Sequence, residues 1–193
     1  MRELRIHGRG GQGAVVASKV LAVAVFREGR WVQSFPAFGV ERRGAPVTAF
    51  LRIADAPIRL RCEIKAPDDL IVLDPTLVEA IDVASGLKEG GGILINTDRP
   101  PSYYEELASR YRVATVDASR IAAEHGIGSR TQPIVNTAIL GAFARWSGLV
   151  DLESVCGAID EEIAYRAEAN MEAAREAAEA LVIHEAAPEV VNA

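Results

Sequence analysis

Hydrophobic and polar positions along the first 26 residues change from a strand pattern to a helix pattern. Residues 4–7 predict a short strand, and residues 8–13 predict a glycine-rich turn. From Ala14 to Phe26 the apolar residues recur at helical spacings, which predicts a buried helix. A strand, a turn and a helix in this order are typical of the entry to an α/β domain.

The next apolar segments are short and contain strand-forming residues. Residues 31–35 predict a second strand and residues 47–53 a third. We expect residues 58–62 to pair with the third strand across the turn Asp55-Ala56-Pro57. This pairing predicts a β-hairpin insertion around residues 47–62.

A continuous apolar run follows at residues 70–73, which indicates a strand buried on both faces of a sheet, and residues 93–96 and 113–116 predict two further strands. The segments after these runs predict helices at residues 76–85, 102–110 and 118–125. Ser102 is the expected N-cap of the middle helix, with Glu105 at the capping-box position. The alternation predicts an α/β fold with a mainly parallel sheet and helices on both faces.

After Pro133 the strand pattern stops, and a helical C-terminal extension is predicted from about residue 135. Its three helices are expected near residues 135–147, 151–164 and 167–183. The last one is rich in alanine and glutamate, which favours either a solvated outer layer or a packing face for a partner. That face is an alanine stripe: Ala169, Ala173, Ala177 and Ala180. We therefore expect a single domain over residues 1–185 and a frayed tail at 186–193.

Composition places the chain among soluble globular proteins, since 49% of its residues are hydrophobic and 25% are charged. The net charge of −6 argues against nucleic-acid binding. Charge is uneven, because residues 1–66 hold 12 Lys/Arg and 5 Asp/Glu. This basic half either meets an anionic ligand or partner, or simply has its arginines solvated at the surface.

Cysteine and histidine positions restrict the metal chemistry of the chain. Cys62 and Cys156 lie far apart, whereas an iron–sulfur cluster needs about four thiolates. The three histidines are scattered, so we predict no metal site. No signal peptide or membrane-spanning apolar run is present, so we expect a cytoplasmic protein without membrane association.

The turn at residues 8–13 satisfies the pattern G-x-G-x-x-G between a strand and a helix. Free backbone N–H groups and the positive end of the helix favour a phosphate or carboxylate, and Arg9 could add a charged contact. Alternatively, the glycines only permit tight packing between the strand and the helix. The candidate anion-binding residues are Gly8, Arg9, Gly10, Gly11, Gln12 and Gly13.

A nicotinamide or flavin site needs an acidic residue after the second strand, to hold the ribose hydroxyls. Ser34, Phe35 and Pro36 occupy that position, which argues against a dinucleotide. No acid–base pair or activated nucleophile is evident, so we predict no catalytic residue in this chain.

The loop between Pro36 and Pro46 combines two phenylalanines, two glycines and the cluster Glu41-Arg42-Arg43. Exposed aromatic residues beside arginines are typical of an interface, so Glu41, Arg42 and Arg43 are candidates for an interface or for ligand binding. The alternative is a surface loop whose aromatic side chains pack into the core.

An ordered set of motifs resembles the gamma subunit of 2-oxoacid:ferredoxin oxidoreductases, most closely the pyruvate branch. The set begins with Ile6-His7-Gly8-Arg9-Gly10-Gly11-Gln12-Gly13-Ala14 and continues with the Ser-Phe-Pro and Glu-Arg-Arg-Gly-Ala-Pro motifs of residues 33–46. It extends through Phe50-Leu51-Arg52-Ile53, the strand ending at Asp74 and Ile95-Asn96-Thr97, and ends at residues 133–142.

This resemblance implies a subunit of a heterotetramer that converts a 2-oxoacid and coenzyme A to acyl-CoA and CO₂ while reducing ferredoxin. In that family, alpha and beta subunits hold thiamine diphosphate with Mg²⁺, and the delta subunit and many beta subunits carry iron–sulfur clusters. The gamma chain would bind no cofactor alone, and residues 8–13 and 41–43 would lie near coenzyme A or at an interface. The isolated chain is expected to be inactive, and a homodimer is plausible for it.

Two alternatives to the gamma subunit remain open at this point. The chain could be a stand-alone dinucleotide-binding oxidoreductase, for which titration with NAD or FAD is the discriminating measurement. It could also be a non-enzymatic adaptor of another complex, which co-purifying proteins would reveal.

Overall fold

The computed structural model describes residues 1–37, 44–129 and 131–184. Its strands are β1 (Arg2–Arg9), β2 (Trp31–Pro36), β3 (Pro46–Ala54), β4 (Asp69–Val72), β5 (Gly92–Asn96), β6 (Arg112–Val116), β7 (Gly128–Ser129), β8 (Gln132–Pro133) and β9 (Val182–Ile183). Its α-helices are α1 (Ala14–Arg27), α2 (Thr76–Ala80), α3 (Glu105–Ala108), α4 (Ala118–Glu124), α5 (Ala138–Ser147), α6 (Leu152–Glu162) and α7 (Ala167–Glu179). A 3₁₀ turn at Pro101–Tyr104 precedes α3.

The described strands other than β7 and β8 form one sheet in the order β2-β3-β1-β4-β5-β6-β9. The four central strands β1, β4, β5 and β6 run parallel to one another. The outer strands β3, β2 and β9 each pair antiparallel with their inner neighbour. This mixed sheet with a parallel centre confirms the predicted fold class. The strands β7 and β8 form a separate two-stranded ribbon.

Helices cover both faces of the sheet because its buried side chains alternate between two apolar clusters. Leu4, Ile71 and Leu94 belong to the larger cluster, with helices α1 and α4 to α7. Leu70 and Ile93 belong to the smaller cluster, with α2 and the segment around α3. The period of two along each strand sends neighbouring residues to opposite layers.

The predicted pairing of residues 47–53 with residues 58–62 in a hairpin is wrong. Residues 58–62 form no strand, and β3 pairs instead with β2 on one edge and β1 on the other. Because both edges of β3 are occupied, residues 58–62 have no edge to join. Arg52, only 1% exposed, fixes this segment by donating to the carbonyl oxygen of Cys62 at 2.8 Å and pairing with Glu3.

Helix boundaries also differ from the sequence pattern. The predicted capping box fails because Pro101 starts a 3₁₀ turn and α3 begins only at Glu105, with no side-chain cap. The helix expected over residues 76–85 ends at Ala80, where Ile81 becomes extended. The capping residue Asp117 accepts a hydrogen bond from the Arg120 N–H at 2.8 Å and starts α4.

The C-terminal segment contains one strand that the sequence did not predict. β9 pairs antiparallel with the edge strand β6, through Thr115 with Val182 and Ala114 with Ile183. A strand of two residues is too short to show an alternation of polar and apolar positions in the sequence. Its pairing with β6 depends on where the end of α7 places the chain.

The middle of the predicted alanine stripe, Ala173 and Ala177, packs inside this chain, whereas Ala169 is half-buried and Ala180, just after α7, is exposed. Ala173, Ala174 and Ala177 are fully buried, and α7 lies against α5. The contact is so close that a Cβ at Gly141 of α5 would overlap the carbonyl oxygen of Ala174. Small residues on both helices therefore permit the approach of the two backbones.

We expect Gly141→Ala to lower the free energy of unfolding by about 1–3 kcal/mol, because the new methyl group would overlap the backbone of Ala174. The matched control is Gly157→Ala in α6, where the added Cβ meets only the mobile guanidinium of Arg27. This control should be neutral or stabilising, since alanine favours a helix over glycine by about 1 kcal/mol. Urea unfolding of both variants measures the difference, and equal effects would contradict the close α5–α7 contact.

Candidate functional site

A crevice lies at the carboxyl ends of the parallel strands, beside the point where the strand order reverses. From β1 the chain passes to β2 and β3 on one side, and it later returns to β4 on the other side. In open α/β sheets, ligands bind outside the carboxyl ends of the strands at such a switch point. The crevice has a volume of about 580 Å³.

The crevice is lined mainly by the glycine loop, the ends of two parallel strands and the two-stranded ribbon. The glycine loop contributes Arg9 to Gln12, and Leu73 and Asn96 lie at the ends of β4 and β5. The ribbon of β7 and β8 and the residues that follow it to Val135 form the remaining wall. The structure thus brings the predicted glycine loop together with polar groups of the neighbouring strands.

The carboxylate of Asp74 fixes the glycine loop to the end of β4. Its Oδ2 accepts from Gln12 Nε2 at 2.8 Å and from Arg9 Nε at 3.2 Å. Its Oδ1 accepts from the Thr76 N–H at 3.0 Å and from the Thr76 hydroxyl at 2.6 Å. Burial works to raise the pKa of Asp74, but these hydrogen bonds and the charge of Arg9 outweigh it and lower the pKa below its usual value.

Arg9 is held by the protein, although the sequence suggested that it could contact an anion. Its Nη2 donates to the Thr76 hydroxyl at 2.7 Å, and its Nη1 donates to the Gly44 carbonyl at 3.2 Å. The Arg9 N–H in turn donates to Gln12 Oε1 at 2.7 Å. All three guanidinium nitrogens are therefore engaged in positioning the loop.

The glycines of the loop have different roles. A Cβ at Gly8 would lie 3.2 Å from Leu73, and one at Gly13 would overlap the amide of Asn136, so both positions serve tight packing. Gly11 has a φ of 100° with open space where a side chain would lie, and it lines the crevice. Tight packing therefore accounts for Gly8 and Gly13, whereas Gly11 leaves the backbone open at the crevice.

The start of α1 is compatible with an anion because nothing in its first turn is acidic and no side chain caps it. Gly13 occupies the N-cap position in the left-handed region. The first-turn N–H groups of a helix carry a partial positive charge that favours a phosphate or carboxylate.

Asn96 and Ser119 are site residues that the sequence analysis missed. Asn96 donates to the Leu73 carbonyl at 2.8 Å and to Ser119 Oγ at 2.9 Å, which joins β4, β5 and α4. Asp74 lies two residues after the buried parallel strand β4, and Asn96 is the last residue of β5. Because such strand ends meet at one edge of the sheet, this position was the signal that could have identified them.

The other predicted site residues, Glu41, Arg42 and Arg43, lie outside the described residues. The dinucleotide alternative loses further support from topology. β3 separates β2 from β1, so the end of β2 does not adjoin the glycine loop as the ribose-binding position requires. Ser34 there bonds to Ser18 of α1 at 2.9 Å.

Among the described residues, no group of three or more His, Cys, Asp or Glu side chains is arranged to hold a metal ion. In the same part of the chain, no helix has the length and apolar character needed to cross a bilayer.

Fold and crevice together define an α/β domain with a glycine loop at the switch point of a mixed sheet. Residues 3–180 match the family of pyruvate ferredoxin/flavodoxin oxidoreductases, and the chain belongs to this family. The resemblance inferred from the ordered motifs is thereby confirmed.

Relatives within this family are similar over nearly their whole length. The common gamma subunit of pyruvate/ketoisovalerate oxidoreductases from Thermococcus kodakarensis is 51% identical, over 96% of this chain and 100% of the relative. Pyruvate synthase subunit PorC from Methanosarcina barkeri is 54% identical, over 82% of this chain and 85% of its own.

Solved structures agree with the fold. The pyruvate oxidoreductase subunit PORC of Thermotoga maritima has a TM-score of 0.80 at 35% identity, covering 95% of this chain and 98% of its own. A 2-oxoglutarate:ferredoxin oxidoreductase chain from Magnetococcus marinus shares the fold at 20% identity with a TM-score of 0.71. The match covers 97% of this chain but 32% of the longer one.

We expect Asp74→Asn to lower the free energy of unfolding by about 1–3 kcal/mol at neutral pH, because the amide cannot accept all four hydrogen bonds. Since folding lowers the pKa of Asp74, this stabilisation is present above the carboxyl's ordinary pKa and is lost as pH falls through the folded value. Urea unfolding at several pH values measures both effects. The control is Asp98→Asn at the end of β5, where the carboxylate is 76% exposed, and an equal loss there would contradict a special role for Asp74.

Proposed function

We propose that this chain is the gamma subunit of a multi-subunit 2-oxoacid:ferredoxin oxidoreductase, with pyruvate as the 2-oxoacid. The complex would oxidise and decarboxylate its substrate, form acyl-CoA and CO₂, and reduce ferredoxin. The observation that carries this proposal is the match to gamma and PorC subunits at about half identity over nearly full length. Partners are the alpha, beta and delta subunits, and the cytoplasm is the proposed location.

The residues of this chain do not fit an iron–sulfur cluster. Cys62 is exposed, Cys156 is buried, and neither has the neighbouring thiolates that a cluster needs. We therefore assign the clusters, thiamine diphosphate and Mg²⁺ to the other subunits, where they supply the electron transfer and the stabilised carbanion. In this proposal, the gamma chain contributes shape and binding rather than a redox centre.

We propose coenzyme A as the anionic ligand of this crevice. Gly11 leaves the backbone open to a phosphate, and the uncapped start of α1 favours negative charge. Arg9 and Gln12 hold the loop through Asp74, so they act as positioning residues. Glu41, Arg42 and Arg43 keep their proposed role at an interface or near coenzyme A.

A tagged copy of the chain, expressed in its native host, tests the subunit assignment. We expect it to co-purify with thiamine- and cluster-bearing chains, and the complex should reduce ferredoxin only with pyruvate and coenzyme A both present. The isolated chain should show no turnover, because it carries neither thiamine nor iron. Recovery with unrelated proteins, or pyruvate oxidation by the chain alone, would refute the proposal.

We expect Gly11→Val in the assembled complex to raise the KM for coenzyme A about tenfold or more, because its side chain fills the open space beside the loop. Gly29→Val is the control, since Gly29 also has a positive φ of 77° and open space but lies after α1, away from the crevice. Both variants carry similar backbone strain of about 1–3 kcal/mol. Steady-state kinetics with coenzyme A varied distinguishes them, and equal KM values would count against coenzyme A at this loop.

A further inference from the structure

A second polar cavity, of about 430 Å³, lies on the opposite face of β1 from the buried side chains of Leu4 and Ile6. Arg5 and His7 alternate with those residues and therefore share the face that lines the cavity. Besides Ala37 and Thr48, its other lining residues are Phe50, Glu63, Ile64, Lys65 and Ser85. The proposed gamma-subunit function makes no use of this cavity.

Three buried nitrogen atoms at this cavity lack partners among the described residues: Arg5 Nε, His7 Nδ1 and His7 Nε2. The guanidinium of Arg5 is nevertheless fixed, because Nη2 donates to the carbonyls of Val83 and Ser85 at 2.8 and 2.7 Å. His7 is 6% exposed. Buried polar groups in folded proteins almost always have hydrogen-bond partners, so three orphans on adjacent side chains indicate a missing ligand.

The protonation of His7 defines what these atoms can bind. Burial, followed by the charge of Arg5, lowers the pKa of His7 to about 4, so the ring is neutral at pH 7. A neutral imidazole offers one donor and one acceptor. Together with Arg5 Nε, the cavity thus presents two N–H donors and one acceptor.

The charges around the cavity favour a single negative charge. Arg5 and the exposed Lys65 are cationic, whereas Glu63 is anionic. Asp82 lies near Arg5 but is not among the lining residues. The lining therefore has one net positive charge, which suits a monoanion better than a phosphate dianion.

We propose that this cavity binds the carboxylate of a small organic acid. Its oxygens accept from Arg5 Nε and from one nitrogen of His7, while the other His7 nitrogen accepts from a water or a ligand hydroxyl. Phe50 and Ile64, which are 5% and 3% exposed, contact the carbon body of the acid. Lys65 supplies a favourable charge at the rim.

Titration of the full-length ¹⁵N-labelled chain with sodium isobutyrate at pH 7 tests this site. Long-range ¹H–¹⁵N spectra resolve the three histidine rings, and His7→Gln assigns the His7 signals. We expect a saturable shift of the His7 nitrogens at millimolar isobutyrate, with His125 and His184 unchanged. No saturable shift of His7 would overturn the site, and tighter binding of inorganic phosphate at equal ionic strength would overturn its assignment to a carboxylate.

Two lysine variants keep the test independent of core packing. Lys65→Gln should weaken isobutyrate binding about fivefold, because it removes a rim charge without touching the buried residues. Lys19→Gln removes a charge from α1, where Lys19 pairs with Glu162, and should leave the affinity unchanged. Equal weakening in both variants would show a bulk charge effect and overturn the proposal. Neither result depends on assembly with other subunits, so failure here leaves the gamma-subunit assignment intact.

Discussion

The carboxylate of Asp74 joins the ends of two neighbouring strands that lie far apart in sequence. Arg9 ends β1 and Gln12 lies in the turn after it, whereas Thr76 begins the helix after β4, and all three donate to the same group. The strands β1 and β4 are parallel neighbours on either side of the switch point. Without this carboxylate, the loop would lose the two hydrogen bonds that Gln12 Nε2 and Arg9 Nε make to the end of β4.

The crevice and the second cavity are both lined by residues of β1. Arg9 extends β1 toward its carboxyl end and is satisfied by Asp74, while Arg5 and His7 on the same strand retain buried atoms without described partners. Arg9 thus has hydrogen-bond partners for all its guanidinium nitrogens, whereas Arg5, four residues earlier, has a buried Nε without a described partner. The two arginines differ in the groups they face. Arg9 meets the Asp74 carboxylate at the end of β4, whereas Arg5 meets the backbone carbonyls of Val83 and Ser85.

Much of the fold was predictable because its central strands and α1 carry strong local patterns. The runs at residues 70–73, 93–96 and 113–116 are mostly apolar and almost wholly buried, since both faces of the parallel sheet are covered. The pattern failed where pairing depended on a distant edge. Both edges of β3 pair with β1 and β2, so residues 58–62 cannot pair with it. The strand β9 pairs with β6 because α7 ends close to that edge of the sheet. The predicted domain limits and the frayed tail at residues 186–193 stay predictions.

The candidate site was predictable in its glycine loop and not in its polar neighbours. The pattern G-x-G-x-x-G identified the turn, but it could not assign Gly13 to packing against Asn136 or Gly11 to open space. Those roles depend on the segment around Asn136, more than 120 residues away in sequence. The sequence suggested that Arg9 could contact a ligand, because its charge lies in the glycine loop. Its partner Asp74 lies 65 residues further along the chain, so the sequence did not indicate that the two side chains form an ion pair.

The close contact between α5 and α7 has a consequence for the order of synthesis. Gly141 and the buried alanines of α7 complete the larger apolar cluster only after the last helix is made. A nascent chain ending before Ala167 exposes the face of α5 that α7 later covers, and it leaves the edge of β6 unpaired. The core of the domain is therefore completed only by the last helix of the chain.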